Sequence, residues 1–280
     1  MTGGDRERQV VVVVESDAVQ HHAVSIAVRA AAPEAHVFSS RPEDPLPEST
    51  GMVVLTLPVA ECESILRHAL RQRIPLLFSA APAADAGALD RLAIALKKRR
   101  TPNAVLGSLR FVPWAAKLSE VLTSGALGQT ERFTLQRPVG PTTKWEVWSD
   151  ADLFGWLGFL PDALIVQDSG QTCVRWQTNS VTAEWAKSNL PAQVAWEIVV
   201  EGTAGKLVAR VAPDAGAVLQ VQLANTSRDL HIPPPRTKGV ELEFLLACWL
   251  GGLPWRVSPS VAECAHAMRL AEMTKYSKTE

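Results

Sequence analysis

The chain is short of cysteine and tyrosine, of long apolar runs, and of any excess of charge of one sign. Its four cysteines (Cys62, Cys173, Cys248 and Cys264) stand far apart, with no metal-site or disulfide-framework spacing. A reduced compartment is therefore expected. No stretch approaches the roughly 20 apolar residues of a membrane span. Residues 1–8 are polar and charged where a secretory signal would be apolar. These absences lead to the expectation of a cytoplasmic protein without a membrane partner. Lys and Arg number 28 against 29 Asp and Glu, a net charge of −1. That balance gives no electrostatic draw toward nucleic acid.

What is present is a large apolar fraction, 47% of 280 residues, enough to core one large or two ordinary domains. Val10 to Val14 is an unbroken β-branched run, as in a buried parallel strand. Strands are then expected at 36–38, 52–57, 74–78 and 104–107, with helices at 18–31, 60–72 and 85–100 between them. Residues 41–49 carry Pro42, Pro45 and Pro47 and read as a loop. This β-α-β alternation predicts an α/β fold with a Rossmann-like, doubly wound parallel sheet over residues 1–107. From about residue 130 the pattern turns to strands, at 131–136, 163–167, 172–178, 194–201, 206–211 and 217–222. Helices are expected at 152–157, 239–250 and 258–276, the last with Ser260 and Glu263 as a capping box. Residues 108–280 are accordingly expected to form an α+β domain around a large open, mostly antiparallel sheet. The chain has nine tryptophans against one tyrosine. Because tryptophans crowd this second region, its sheet is expected to pair with another copy or with a related chain.

Four strings give the chain a resemblance. They are Arg110-Phe111-Val112-Pro113, Ser124-Gly125-Ala126-Leu127-Gly128, Gly202-Thr203-Ala204-Gly205, and Ser258-Pro259-Ser260-Val261. In order and spacing they resemble the Gfo/Idh/MocA family of NAD(P)-dependent oxidoreductases. The resemblance implies an N-terminal cofactor domain and a C-terminal substrate domain that also oligomerises. It also implies a set of working residues, and this chain departs from most of them. The family's Gly-x-Gly-x-x-Gly turn aligns with Glu15, Asp17 and Gln20, where side chains crowd the phosphates and two carboxylates repel them. Asp17 can also be read as a helix cap. The family's Glu-Lys-Pro lysine aligns with Ala81, before Pro82. A thiazolinyl-imine-reducing branch has histidine there, which is absent too. The family's histidine after Pro58 aligns with Cys62. Its His-x-x-Asp helix aligns with Ser149 and Asp152, so the carboxylate alone is kept.

The candidate site follows from these departures. Asp152, Lys144 and Asp150 are the candidate catalytic groups. Arg110, Trp114, Trp145 and Trp148 are the candidate ligand-binding groups, offering a guanidinium and flat apolar walls for a small molecule. Asp150 also suits a helix cap, and each tryptophan suits the core or a subunit interface. No metal is expected: His21 and His22 are adjacent, point apart on a helix, and chelate poorly. Lys97 to Arg100 reads as a solvated helix end. No cofactor is expected to bind tightly, although Ser39, Ser40 and Arg41 after the second strand would suit the 2′-phosphate of NADP. The expected function is that of a Gfo/Idh/MocA-like protein that has lost standard hydride transfer. It would be repurposed as a non-redox enzyme, a ligand-binding protein or an auxiliary subunit. The alternatives are an NADP-dependent oxidoreductase or imine reductase with a rebuilt cofactor site, and a structural partner of an active relative. Heavy use of Ala, Val and Arg suits a high-GC bacterium, where such divergent copies serve specialised metabolism.

Overall fold

The computed structural model describes residues 10–14, 26, 28–30, 35–79, 82–160, 166–169, 173–178, 180–212, 216–234, 240–250 and 258–276. Glu15, Asp17, Gln20, His21, His22, Ala80 and Ala81 lie outside them. The chain divides into two compact units, Met1–Ser108 with Thr237–Ala265, and Leu109–Arg236 with His266–Glu280.

The first unit is a five-stranded parallel sheet of β1 (Val10–Val14), β2 (His36–Ser40), β3 (Thr50–Leu55), β4 (Leu76–Phe78) and β5 (Asn103–Val105), in the order β2-β1-β3-β4-β5. Met52, Val53, Val54 and Leu55 are all fully buried, as are Leu76, Leu77 and Phe78. A strand buried on both faces has no reason to alternate, and these do not. Helix α1 (Glu63–Gln72) follows β3 after a 3-10 turn at Val59–Glu61, so the helix expected from residue 60 begins three positions later. Helix α2 (Ala86–Arg99) is capped by the Asp85 carboxylate, which accepts from the Ala88 N–H at 2.7 Å. The outer edge of β5 is closed by the chain's own C-terminal part. Val105 N–H donates to the Pro259 carbonyl at 2.9 Å, and the Ser258 hydroxyl to the Val105 carbonyl at 2.9 Å.

The second unit has eight strands: β6 (Thr130–Pro138), β7 (Val166–Ser169), β8 (Cys173–Thr178), β9 (Val181–Ser188), β10 (Trp196–Gly202), β11 (Gly205–Ala212), β12 (Gly216–Leu223) and β13 (Thr226–Ile232). Their order is β13-β12-β11-β10-β6-β9-β8-β7, antiparallel except where β6 meets β9. Both sheets are thus of the expected kind. Two strands escaped the sequence reading, β9 and β13. β9 carries Glu184 and Lys187, and β13 carries Arg228 and Asp229, so neither looks apolar enough in isolation. Helices α3 (Pro113–Thr123), α4 (Lys144–Trp156), α5 (Val240–Leu250) and α6 (Val261–Tyr276) complete the described elements. The Ser260–Glu263 capping box stands at the start of α6 as expected: Ser260 N–H donates to the Glu263 carboxylate at 2.8 Å, and Glu263 N–H to the Ser260 hydroxyl at 3.4 Å.

α4 corrects the sequence reading. It begins at Lys144, eight residues before the expected start, because Thr143 and Glu146 form a reciprocal capping box. Asp150 is therefore mid-helix and caps nothing. The helix packs on one sheet face through Phe154, whose ring meets Phe133 at 4.9 Å and Trp176 at 4.8 Å. Trp176 and Trp185 are fully buried, and with Trp196 they belong to this helix-covered face. The opposite face carries ion pairs instead, Arg210–Glu197 at 2.7 Å, Arg175–Glu184 at 2.7 Å and Lys206–Glu201 at 3.1 Å. The tryptophans of β8, β9 and β10 thus line the core side of the sheet rather than its ion-paired face.

Candidate functional site

Helix α4 presents two carboxylates two positions apart, so they leave it on opposite sides. Asp150 points at the sheet and is fully buried. Its Oδ2 accepts from Arg137 Nε and, at 3.0 Å, from Trp185 Nε1. Its Oδ1 accepts from Arg137 Nη2 and Trp196 Nε1, each at 2.9 Å. Arg137 also lies 4.8 Å from the centre of the Trp196 ring. Burial pushes the Asp150 carboxyl above its ordinary range, opposed by the Arg137 charge and by these donated bonds. Asp152 turns the other way, toward the 3-10 turn Leu109–Phe111. It holds Arg110 in a bidentate pair at 2.6 and 3.0 Å, with only 4% and 1% of the two side chains exposed.

The other nominated residues of this unit fall around the same helix. Lys144, in its first turn, pairs with Glu272 at 2.9 Å. Trp148 is fully buried, and Trp145 lies in the same helix. Trp114, at the start of α3, is buried with its ring 6.1 Å from that of Trp196. Ser149 is nearly buried. Residue reasoning missed Arg137, Trp185, Trp196 and Glu272. They lie 13, 35 and 46 residues from Asp150 and 128 from Lys144, and no local pattern links them.

In the first unit the strand order changes direction between β1 and β3. A ligand of such a sheet lies beyond the carboxyl ends at that point. Ser39 and Ser40 end β2, and Arg41 follows them. The Ser40 hydroxyl donates to the Arg41 carbonyl at 3.2 Å and the Arg41 N–H to Asp44 at 3.0 Å, so the loop is tied down while the Arg41 side chain stands exposed. An open groove of about 700 Å³ lies between the loop after β2, the turn after β3 and one side of α1. Glu43, Glu61, Glu63, Arg67, His68 and Arg71 line it. Cys62, at the family's histidine position, is fully buried. Burial, with the Glu61 charge added, pushes its thiol up to about 11. At neutral pH it stays a thiol, a poor nucleophile and a poor base.

No protein-family model matches the sequence, and no curated protein matches it. Solved structures do match in shape. An oxidoreductase from Agrobacterium radiobacter, in complex with NAD+, L-tartaric acid and magnesium, superposes with a TM-score of 0.74 at 12% identity, over 97% of this chain and 96% of its own. KijD10, a 3-ketoreductase from Actinomadura kijaniata in complex with NADP and TDP-benzene, does so with a TM-score of 0.69 at 13% identity, over 97% and 98%. The chain has the fold of these oxidoreductases. At such identities the likeness is one of backbone, and the strings behind the family resemblance have structural roles here. A Cβ at Gly128 would lie 2.3 Å from the Thr203 hydroxyl, and one at Gly202 would lie 2.4 Å from the Leu127 carbonyl. The second and third strings therefore specify each other: the Ala204 N–H donates to Leu127 O at 2.9 Å across the same contact. The first string supplies Arg110 to Asp152, and the fourth closes the edge of β5.

Proposed function

We propose that this oxidoreductase-fold protein has lost standard hydride transfer and serves as a small-molecule-binding protein or as the auxiliary subunit of an active relative. One observation carries the reading. Asp152, the one carboxylate kept from the family pattern, is locked to Arg110 in a buried bidentate pair. A general acid or base has to exchange its proton with substrate. A carboxylate gripped on both oxygens by a guanidinium is occupied and turned away from that task. Asp150 is bound still more completely, and Lys144 is paired. Ala81 and Ser149 supply neither charge nor a strong base.

The fold implies a dinucleotide, and the residues present do not fit one well. The groove beyond β2 and β3 sets Glu43, Glu61 and Glu63 beside Arg67, His68 and Arg71, so it offers phosphate no one-sided positive field, and the sequence adds Glu15 and Asp17 at the phosphate turn that the resemblance implies. Anionic phosphates would meet carboxylates at that turn. Calorimetric titration with NADH and NADPH tests this. A dissociation constant in the low micromolar range, about −8 kcal/mol, would overturn the reading. The Glu15→Gly, Asp17→Gly double variant is expected to bind better than the parent.

A second reading has one observation in its favour: the exposed Arg41 side chain at the end of β2 suits an NADP 2′-phosphate. It makes the protein an NADP-dependent reductase with a rebuilt site around Ser39, Ser40 and Arg41. Dehydrogenase activity created by Ala81→Lys alone would establish it. The expectation from the sequence that ligand dependence falls on Asp152, Lys144 and Arg110 has a direct test, although Asp152 and Arg110 hold each other and Lys144 holds Glu272. Binding that survives Asp152→Asn and Lys144→Met in folded protein would remove these residues from the site. Assembly with a second copy or with a related chain also belongs to the first reading.

A further inference from the structure

Six surface cations each have a carboxylate beside them: Arg67, Lys117, Arg132, Arg175, Lys206 and Arg210, at 2.6 to 3.9 Å. One corner of the first unit differs. Arg73 and Arg91, with the run Lys97-Lys98-Arg99-Arg100, are exposed, and none of them makes an ion pair with a described residue. Asp90 is the one carboxylate of α2, and Asp85 caps its far end. The Val261 N–H reaches Asn103 at the start of β5, but the Glu263 carboxylate that follows is held by Ser260.

Cations in a last turn suit the helix dipole, but the dipole does not account for where two of these arginines stand. Arg73 ends α1 and Arg100 ends α2, both in the left-handed conformation, at φ 58° and 55°. They are the only non-glycine residues with positive φ among the described residues. Their places are equivalent: Leu76 of β4 pairs with Asn103 of β5, and each arginine lies three residues before its member of that pair. Glycine stops a helix in this way without strain. A charged side chain stands there against that preference, twice, on adjoining strands. On α2 itself, Ile94 is 67% exposed, the most exposed large apolar side chain described. Three or four residues separate it from Arg91, Lys97 and Lys98, so it shares their face.

We propose that this corner docks the acidic face of a partner protein: a helix whose carboxylates meet Arg73, Lys97, Lys98 and Arg100 around an apolar side chain seated on Ile94. An apolar anchor ringed by charge is the anatomy of a protein interface. Other occupants fit the corner less well. A second copy of the same corner would set cation against cation. A membrane surface asks for a helix with a free apolar stripe, and that of α2, Leu89, Leu92 and Leu96, is buried in the core. A nucleic acid strand stacks its bases on aromatic side chains, and residues 86–102 contain none. The docking requires no nucleotide and is independent of the loss of hydride transfer.

Fluorescence anisotropy on the whole chain tests the proposal, with a labelled helical peptide that carries glutamates around a single leucine. Binding that weakens steeply as salt rises is expected. Lys98→Glu should weaken it about tenfold, and Ile94→Ser, or alanine in place of the peptide's leucine, about threefold. Arg228→Glu, an equal change of charge on β13, should leave it unchanged. Arg73→Gly and Arg100→Gly separate the charge from the helix stop. Each should hold or raise the melting temperature, since glycine takes the left-handed conformation freely, and weaken peptide binding about threefold. A peptide that does not bind would overturn the proposal, as would one that Arg228→Glu weakens as much as Lys98→Glu. So would binding indifferent to Ile94→Ser and to the glycine variants, or duplex DNA or phosphatidylglycerol vesicles that bind more tightly than the peptide at the same salt. The alanine-bearing peptide needs no variant protein and so decides even if a variant fails to fold.

Discussion

In the second unit, the charged side chains that the sequence nominates for chemistry each hold a partner of opposite sign: Arg110 with Asp152, Asp150 with Arg137, Lys144 with Glu272. In the first unit, the charges beyond the strand ends stand in water. Arg41, Glu43 and Glu61 are exposed, and the Glu63–Arg67 pair at 2.6 Å leaves 74% and 61% of its side chains accessible. Such an exposed pair adds little. The buried pairs of the second unit are part of its core and are costly to break. Substitutions in the second unit should therefore register first as stability, and those in the first unit as binding.

Asp150→Ala gives the sharpest test. It leaves the Arg137 guanidinium and two indole N–H groups buried without their acceptor, and a loss of about 3–5 kcal/mol in urea unfolding is expected. A loss below about 1 kcal/mol would erase the contrast. Asp152→Asn keeps shape but removes the charge facing Arg110, and about 3 kcal/mol is expected. The Arg110→Met, Asp152→Leu double variant should recover most of that loss, because it leaves no unpaired charge behind. If it is no better than Asp152→Asn, the pair contributes through packing alone.

Smaller effects sharpen the comparison where burial is partial. Thr143→Ala removes the cap of α4 and should cost about 1 kcal/mol. Its partner Glu146 is half exposed. Burial pushes its carboxyl up, but bonds from the Thr143 N–H and hydroxyl, with the Arg137 and Lys187 charges, bring it below its ordinary value. A lowered folded value stabilises the fold above the ordinary carboxylate range, and that contribution fades as pH falls through the folded value. Glu146→Gln should accordingly flatten the acid side of the stability curve, and an unchanged curve would count against the cap. Lys144→Met should stay within about 1 kcal/mol, since its pair is partly exposed. Least of all, Glu43→Gln and Glu61→Gln should change stability by under about 0.5 kcal/mol while raising NADPH affinity. Unchanged affinity would clear those carboxylates of repelling phosphate.

Much of the first unit was legible because its elements announce themselves locally. β1 is five valines in a row, and three prolines mark the loop before β3. The second unit was legible only in part. β13 has an exposed, polar pattern, while β9 alternates over Val181 to Trp185 but buries only Ala183 and Trp185 there, too small an apolar face to stand out beside Glu184 and Lys187. The start of α4 was missed although Thr143 and Glu146 stand three apart, because the tryptophans between and after them read as wall rather than helix. The sequence did nominate Asp150, Asp152 and Lys144 as catalytic groups and Arg110 as a ligand-binding one, each turned toward a small molecule. The carboxylates' partners come from other elements: the turn before α3 for Asp152, and β6, β9 and β10 for Asp150. Chemistry nominated from residue type alone cannot anticipate neutralisation by a distant neighbour.

The bonds that close β5 bear on the order in which the protein can be made. Val105 emerges from the ribosome long before Ser258 and Pro259, and the Gly107 N–H waits likewise for Glu241, which accepts from it at 2.9 Å. At about 5–20 residues per second, the N-terminal sheet exists for some time with that edge uncovered, while the whole second sheet is being synthesised. Co-translational folding of this chain is therefore interleaved. The first unit is sealed only when residues 241–261 arrive, and the second waits longer still for residues 266–280, which bring Glu272 to Lys144. A nascent chain stalled before residue 258 should be far more open to protease at residues 103–107 than the finished protein.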